Sequence, residues 1–163
     1  MAETRLKAYG LSAAVFAADR LTKAFIEAHV SSFDVHTVIP GFFDIVHSQN
    51  RGVAFGLMND SHSAWRTMVL IVFSAAALVL VAGLLWKASR WDRWTVYGLA
   101  LVLGGAAGNL FDRIVSGRVT DFLEFYIGNL HWPTFNVADS CIVIGSGLLV
   151  LDLLKPKRQP AQT

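Results

Sequence analysis

Two aspartates, Asp121 and Asp139, have the residue type needed for hydrolysis without a metal ion. In such a pair, an ionised carboxylate takes a proton from water, and a protonated carboxyl group donates to the carbonyl oxygen or the leaving amine. Two close carboxylates do not both ionise readily, so the pair shares one proton. We therefore interpret Asp121 and Asp139 as an acid–base dyad.

The roles within this dyad depend on helix position. Asp139 is expected in the first turn of a helix, where the dipole favours negative charge. The sequence shows no comparable helix dipole that would stabilise the charged form of Asp121. We therefore expect Asp139 to be the ionised partner at rest, although the titration belongs to the pair and the roles can exchange during turnover.

Further polar residues are expected at the same depth as the dyad. At 1.5 Å per residue, Lys23 lies about 24 Å along its helix from Lys7. By the same rise, Asn109 and Arg113 lie about 22 and 28 Å from Trp94. These positions fall near one membrane interface, and polar groups inside spans are functional candidates because burying them there is costly.

Each of these polar residues also has a structural explanation. Asp19 and Lys23 share a helix face at i,i+4 and can neutralise each other for insertion. Arg113 can be an interface anchor that extends its charged head to water. Asn136, three residues before Asp139, resembles a helix cap. The agreement in depth across three helices nevertheless favours a shared site.

The elements that must position these residues are membrane spans. Of the 163 residues, 54% are hydrophobic and 16% are charged, whereas soluble domains carry about 25% charged residues. Spans need about 20 apolar residues, which predicts a mainly α, integral membrane fold of one domain, residues 1–163. The predicted spans are residues 8–29, 67–86, 94–113 and 137–154. A signal peptide ending near Ala17-Ala18 is the alternative for the first span.

The basic residues predict the orientation of the four spans. They precede the first span, lie between the second and third, and follow the fourth: Arg5, Lys7, Lys87, Arg90, Arg93, Lys155, Lys157 and Arg158. By the positive-inside rule, that side and both termini are cytoplasmic. The outer side then receives two loops, residues 31–65 and 114–136.

The first outer loop contains structure of its own. Between residues 33 and 57, β-branched and aromatic residues flank the Pro40-Gly41 turn signal, which predicts short strands. Asn59-Asp60-Ser61 then resembles a cap before a short interfacial helix carrying Trp65.

Other kinds of site are disfavoured. The net charge of +2 gives no nucleic-acid footprint, and one cysteine, Cys141, excludes an intramolecular disulfide. A thiol–imidazole pair of Cys141 with His131 is unfavourable because Cys141 lies two residues beyond Asp139, on a different helical face. Five histidines lack metal-ligand spacing, so we expect neither a metal nor another cofactor.

Five sequence blocks resemble the bacterial lipoprotein signal peptidase family, also called signal peptidase II. In the family's order they are Asp19-Arg20-Leu21-Thr22-Lys23, Asn50-Arg51-Gly52-Val53-Ala54-Phe55-Gly56, Gly104-Gly105-Ala106-Ala107-Gly108-Asn109-Leu110-Phe111-Asp112-Arg113, Val119-Thr120-Asp121-Phe122 and Phe135-Asn136-Val137-Ala138-Asp139-Ser140. The last two blocks together are the most specific.

The resemblance implies an aspartic endopeptidase of the cytoplasmic membrane that cuts prolipoproteins before a diacylglyceryl-modified cysteine at the outer face. Asp121 and Asp139 match the catalytic aspartates. The polar positions that line or support the family's site match Asp19, Lys23, Asn50, Asn109, Arg113 and Asn136. The resemblance also implies an extracytoplasmic β-sheet cradle, a mobile interfacial helix, contact with membrane lipid and inhibition by globomycin. We expect a monomer.

Two rival functions follow from the residues alone. A proton-coupled transporter or channel subunit also uses intramembrane Asp and Lys, but it requires polar groups through the whole membrane depth, and the inner halves of the last three spans are apolar. A structural four-span protein predicts instead that Asp121→Asn and Asp139→Asn are harmless.

Overall fold

Four helices and four strands form the parts of the chain that the computed structural model describes, which are residues 2–52, 64–87 and 92–155. In chain order they are α1 (Ala2–His29), β1 (Val35–Ile39), β2 (Phe43–Asn50), α2 (Ala64–Trp86), α3 (Arg93–Ser116), β3 (Val119–Ile127), β4 (Leu130–His131) and α4 (Val137–Leu153). The fold is therefore mainly helical with a small antiparallel sheet, as the sequence predicted.

Several sequence-based expectations concern residues outside those described. They are the second half of the Asn50 block (Val53 to Gly56), the cap at Asn59-Asp60-Ser61 with the interfacial helix after it, and the basic residues Arg90, Lys157 and Arg158. Trp65 is described, and it lies in the first turn of α2.

Apolar composition explains the two middle helices. By length and composition, Thr67–Trp86 within α2 and Arg93–Ser116 are each able to cross a membrane. Large exposed apolar side chains, such as Phe73 and Leu80 on α2, fit contact with lipid. α1 carries charged residues along its length and α4 has 17 residues, so the count of four spans stays a prediction.

Capping fixes the ends of the two helices nearest the dyad. α3 ends at Gly117, which has φ +70° and donates its N–H to the Arg113 carbonyl oxygen. The predicted cap at Asn136 is confirmed, because its side chain accepts from the Asp139 N–H while the Asp139 carboxylate accepts from the Asn136 N–H. This reciprocal capping box satisfies two backbone donors at the start of α4.

α3 is the central helix and packs against α1, α2 and α4. Glycine allows close approaches in this packing: a Cβ on Gly98, for example, would lie 2.8 Å from the Gly145 carbonyl oxygen of α4. Small residues at such contacts let helix backbones come together where lipid provides no hydrophobic drive for association.

The sheet has the order β1-β2-β3-β4, with all neighbours antiparallel. The strands predicted around the Pro40-Gly41 turn correspond to β1 and β2. β3 and β4 lie in residues 114–136, where no strand was predicted. Phe122 of β3 packs against Ile26 of α1 and Val30 just after it, which fixes the sheet on the helices.

Candidate active site

The two aspartates come from different elements. Asp121 is the third residue of β3 and is 2% exposed. Asp139 is the third residue of α4, inside the capping box at Asn136. A strand and a helix N-terminus, both fixed by backbone hydrogen bonds, therefore present the two carboxyl groups.

Two asparagines connect these carboxyl groups. Asn136 Nδ2 donates to Asp121 Oδ1 at 2.6 Å and lies 3.2 Å from Asn109 Oδ1. Asn109 Nδ2 in turn donates to Asp139 Oδ1 at 2.7 Å. A continuous chain of amide hydrogen bonds thus runs from one aspartate to the other and fixes the orientation of both.

A buried network of charged side chains from α1 and α3 holds the Asn109 side chain in place. Lys23 is 0% exposed, and its Nζ donates to Asp19 Oδ2 at 2.8 Å and to Asn109 Oδ1 at 3.0 Å. The same Nζ lies 2.7 Å from Asp112 Oδ2, and Arg20 pairs with the other oxygen of Asp112. Two cations therefore balance two carboxylates, as burial of charge requires.

Asp19 also connects this network to α4. Its Oδ1 accepts from the Ala138 N–H at 3.0 Å, one residue before Asp139. Since Gly108 of α3 packs directly on the Asp19 carboxyl group, α1, α3 and α4 meet at this point. The backbone that carries Asp139 is thereby fixed from two sides.

Asn50 and Arg113 lie at the margin of the network. The Asn50 side chain acts on Asp121 and lowers its pKa, and its Oδ1 accepts from the Gly52 N–H at 2.7 Å. One terminal nitrogen of Arg113 donates to the Asn109 carbonyl oxygen at 3.2 Å. The Arg113 Nε is buried and has no hydrogen-bond partner among the described residues.

The surroundings of Asp121 favour its protonated form. Burial, and next the negative charge of Asp139, raise the pKa of Asp121 from 3.8 to about 6. Hydrogen bonds from Asn50 and Asn136 and the charge of Lys23 oppose this rise. An acid with a pKa near neutrality can both hold and release a proton under physiological conditions.

The structure thus brings together all eight residues that were predicted from the sequence to form or support the site. It adds two residues, Arg20 and Asp112, that were given no role. Helical spacing could have identified Asp112, which lies three residues after Asn109 and therefore on the same side of α3. Its partner Arg20 belongs to another helix, so no local pattern indicates the pair.

Two other site types were considered from the sequence, a thiol–imidazole pair and a metal site. His131 lies 3.4 Å from Glu124 and stacks on Tyr126, and neither contact involves Cys141. Within residues 2–52, 64–87 and 92–155, no group of three or more His, Cys, Asp or Glu side chains is placed to hold a metal ion.

Known protein sequences match this chain over nearly its whole length. The profile of the family described as "Signal peptidase (SPase) II" matches residues 11–155. A "Lipoprotein signal peptidase" of Solibacter usitatus is 60% identical over 161 residues, covering 99% of this chain and 98% of the relative. The protein of the same name from Maridesulfovibrio salexigens is 40% identical over 147 residues, with 90% and 94% coverage.

Solved structures also resemble this fold. One described as "Bacterial membrane enzyme structure by the in meso method at 2.3 A resolution" superimposes with a TM-score of 0.81 at 26% identity, covering 96% of this chain and 94% of the other. A second, described in the same words at 1.9 A, gives 0.80 at 27% identity, with 93% and 94% coverage.

Proposed function

Because this chain belongs to the signal peptidase II family, we propose that it is a membrane aspartic endopeptidase cutting prolipoproteins immediately before a diacylglyceryl-modified cysteine. Membership of the family supports a protease that removes signal peptides from prolipoproteins. The observation that carries the two-aspartate mechanism is the hydrogen-bonded chain from Asp121 through Asn136 and Asn109 to Asp139.

The two aspartates have different tasks in this mechanism. The ionised carboxylate, which we assign to Asp139 at rest, takes a proton from water as the water oxygen attacks the scissile carbonyl carbon. The protonated partner, Asp121, donates first to the carbonyl oxygen. The proton gained by Asp139 then goes to the leaving amine as the C–N bond breaks. Asp121, now ionised, takes a proton from a hydroxyl group of the tetrahedral intermediate, which releases the carboxyl product and restores both aspartates to their resting states. The raised pKa of Asp121, to about 6, supports its role as the acid.

The remaining site residues hold the dyad or the substrate. Asn109 and Asn136 orient the carboxyl groups, and Lys23 with Asp19 keeps Asn109 in place. Asn50 and Arg113 lie at the margin, where their unused donors can bind the carbonyl oxygens of an extended peptide. The buried Arg113 Nε, which has no hydrogen-bond partner among the described residues, supports this assignment.

The membrane location of the protein explains how the substrate reaches the dyad. Family membership and the apolar helices indicate a bacterial inner-membrane protein. We assign it four spans, cytoplasmic termini and an outer-face site, as a monomer sensitive to globomycin. Two acyl chains of the substrate remain in the outer leaflet, where each buried methylene contributes about 0.8 kcal/mol of anchoring. This holds the scissile bond at the depth of the dyad.

The decisive experiment measures cleavage of a purified, lipidated prolipoprotein by wild type, Asp121→Asn and Asp139→Asn. We expect each variant to lose at least about a thousandfold in rate, since each removes a proton-transfer group. The matched control is Asp34→Asn, which changes an exposed loop carboxylate whose hydrogen bond is to Ser31, and it should cleave normally. Wild-type rates in either dyad variant would refute the mechanism.

A further inference from the structure

One more acidic residue of α1 contacts an element of the site. The Thr120 hydroxyl donates to Glu27 Oε1 at 2.6 Å, joining residues that lie 93 positions apart in the chain. Thr120 is 5% exposed and immediately precedes Asp121 in β3. The distance is in the range of a charge-assisted hydrogen bond, which is stronger than a neutral one.

The position of Glu27 on α1 continues a pattern. Asp19, Lys23 and Glu27 follow each other at intervals of four residues, so they lie on successive turns of one helix face. Asp19 contacts the backbone of α4 at Ala138, and Lys23 contacts Asn109 of α3. Glu27 contacts β3. One face of α1 therefore reaches all three elements that carry Asp139, Asn109 and Asp121.

We propose that Glu27 and Thr120 are positioning residues for Asp121, forming a tether between α1 and the start of β3. The proposal rests on the proposed function, because positioning matters only if Asp121 takes part in catalysis. Successive side chains of a strand point to opposite faces. With Thr120 held against α1, the Asp121 side chain is directed toward Asn136.

The pairing of β3 with β2 is irregular near Asp121, so an additional contact there affects how Asp121 is positioned. The register pairs Thr120 with Gln49 and Asp121 with Ser48, next to a bulge between Ile45 and Ser48. A bulge leaves the ladder locally disrupted, so backbone pairing with β2 alone fixes Asp121 less firmly there. The bond from Thr120 to Glu27 supplies a second attachment, from the helix side.

The test compares cleavage by Thr120→Val, Glu27→Ala, their double variant and Glu27→Gln. Thr120→Val and Glu27→Ala should each lower kcat about tenfold, because small displacements of a reacting group are costly, while KM stays within about twofold. The double variant should lose no more than either single one, as expected for one shared interaction. Glu27→Gln keeps an acceptor oxygen and should recover most of the rate.

Thr22→Val is the matched control and should leave kcat unchanged, since the Thr22 hydroxyl donates to the carbonyl oxygens of Ala18 and Asp19 within α1. Thermal unfolding midpoints in detergent verify that each variant is folded. Because Glu27 is exposed, Glu27→Ala and Glu27→Gln should disturb the fold less than Thr120→Val does. Unchanged kcat in both single variants, or additive losses in the double variant, would overturn the tether. An active Asp121→Asn enzyme would instead overturn the proposed function itself.

Discussion

A buried carboxyl group that must exchange a proton lowers the stability of the protein that holds it. Asp121 is nearly inaccessible to water, and its environment raises its pKa to about 6 from an ordinary 3.8. Such a group binds its proton more tightly in the folded than in the unfolded state. This tighter proton binding stabilises the folded state fully below pH 3.8, and the stabilisation is lost as the pH rises through about 6.

This linkage predicts that Asp121→Asn is more stable than wild type at alkaline pH. The shift corresponds to at most about 3 kcal/mol above pH 6, since one pKa unit is about 1.4 kcal/mol, and the asparagine still accepts from Asn136. Unfolding midpoints in detergent at pH 4, 6 and 8 measure the difference. The gap between variant and wild type should widen from pH 4 to pH 8; a gap independent of pH would contradict the pKa shift.

At the scale of elements, local patterns predicted the helices and the cap of α4 well, because helical periodicity and capping depend on neighbouring residues. β3 was not predicted, although Val119–Ile127 is rich in β-branched and aromatic residues. Its pairing with β2 is between segments about 70 residues apart. The bonds from Arg20 to Asp112 and from Thr120 to Glu27 join residues 92 and 93 positions apart. They could not be predicted either, because no local sequence pattern shows which distant elements will meet.

The packing of α3 on α4 gives a prediction for an element. A Cβ on Gly105 would collide with the Ala138 carbonyl oxygen and lie 2.9 Å from Ile142. Gly105→Ala should therefore displace the start of α4, destabilise the protein by about 1–3 kcal/mol and lower cleavage at least about tenfold by moving Asp139. Unfolding midpoints and cleavage rates measure both effects.

Gly147→Ala is the control for this prediction, because a Cβ there meets nothing within 4 Å. It adds the same methyl group to a helix, and alanine favours helix by about 1 kcal/mol, so stability should be kept or raised. Equal behaviour of the two variants would show that close packing at Gly105 does not position α4.

For the whole molecule, the distribution of charge indicates an orientation. Arg5 lies over the Trp86 ring at 5.0 Å, and Lys155 Nζ lies 3.2 Å from Asp92 Oδ2. The start of α1, the end of α2 and the α3–α4 pair thus gather basic groups at one end of the bundle. The dyad lies near the opposite ends of α1 and α3. By the positive-inside rule we expect the basic end to face the cytoplasm and the dyad to lie at the outer face, as proposed above.

This orientation predicts which residues an impermeant thiol reagent reaches in spheroplasts. In a Cys141→Ser background, Asn129→Cys in the turn between β3 and β4 should label from outside, because the sheet lies at the dyad end. Lys87→Cys, just after α2, should label only once the membrane is permeabilised. Both variants should retain cleavage, which confirms their fold. External labelling of Lys87→Cys would reverse the proposed topology and would place the dyad on the side of the membrane away from the acyl chains of its substrate.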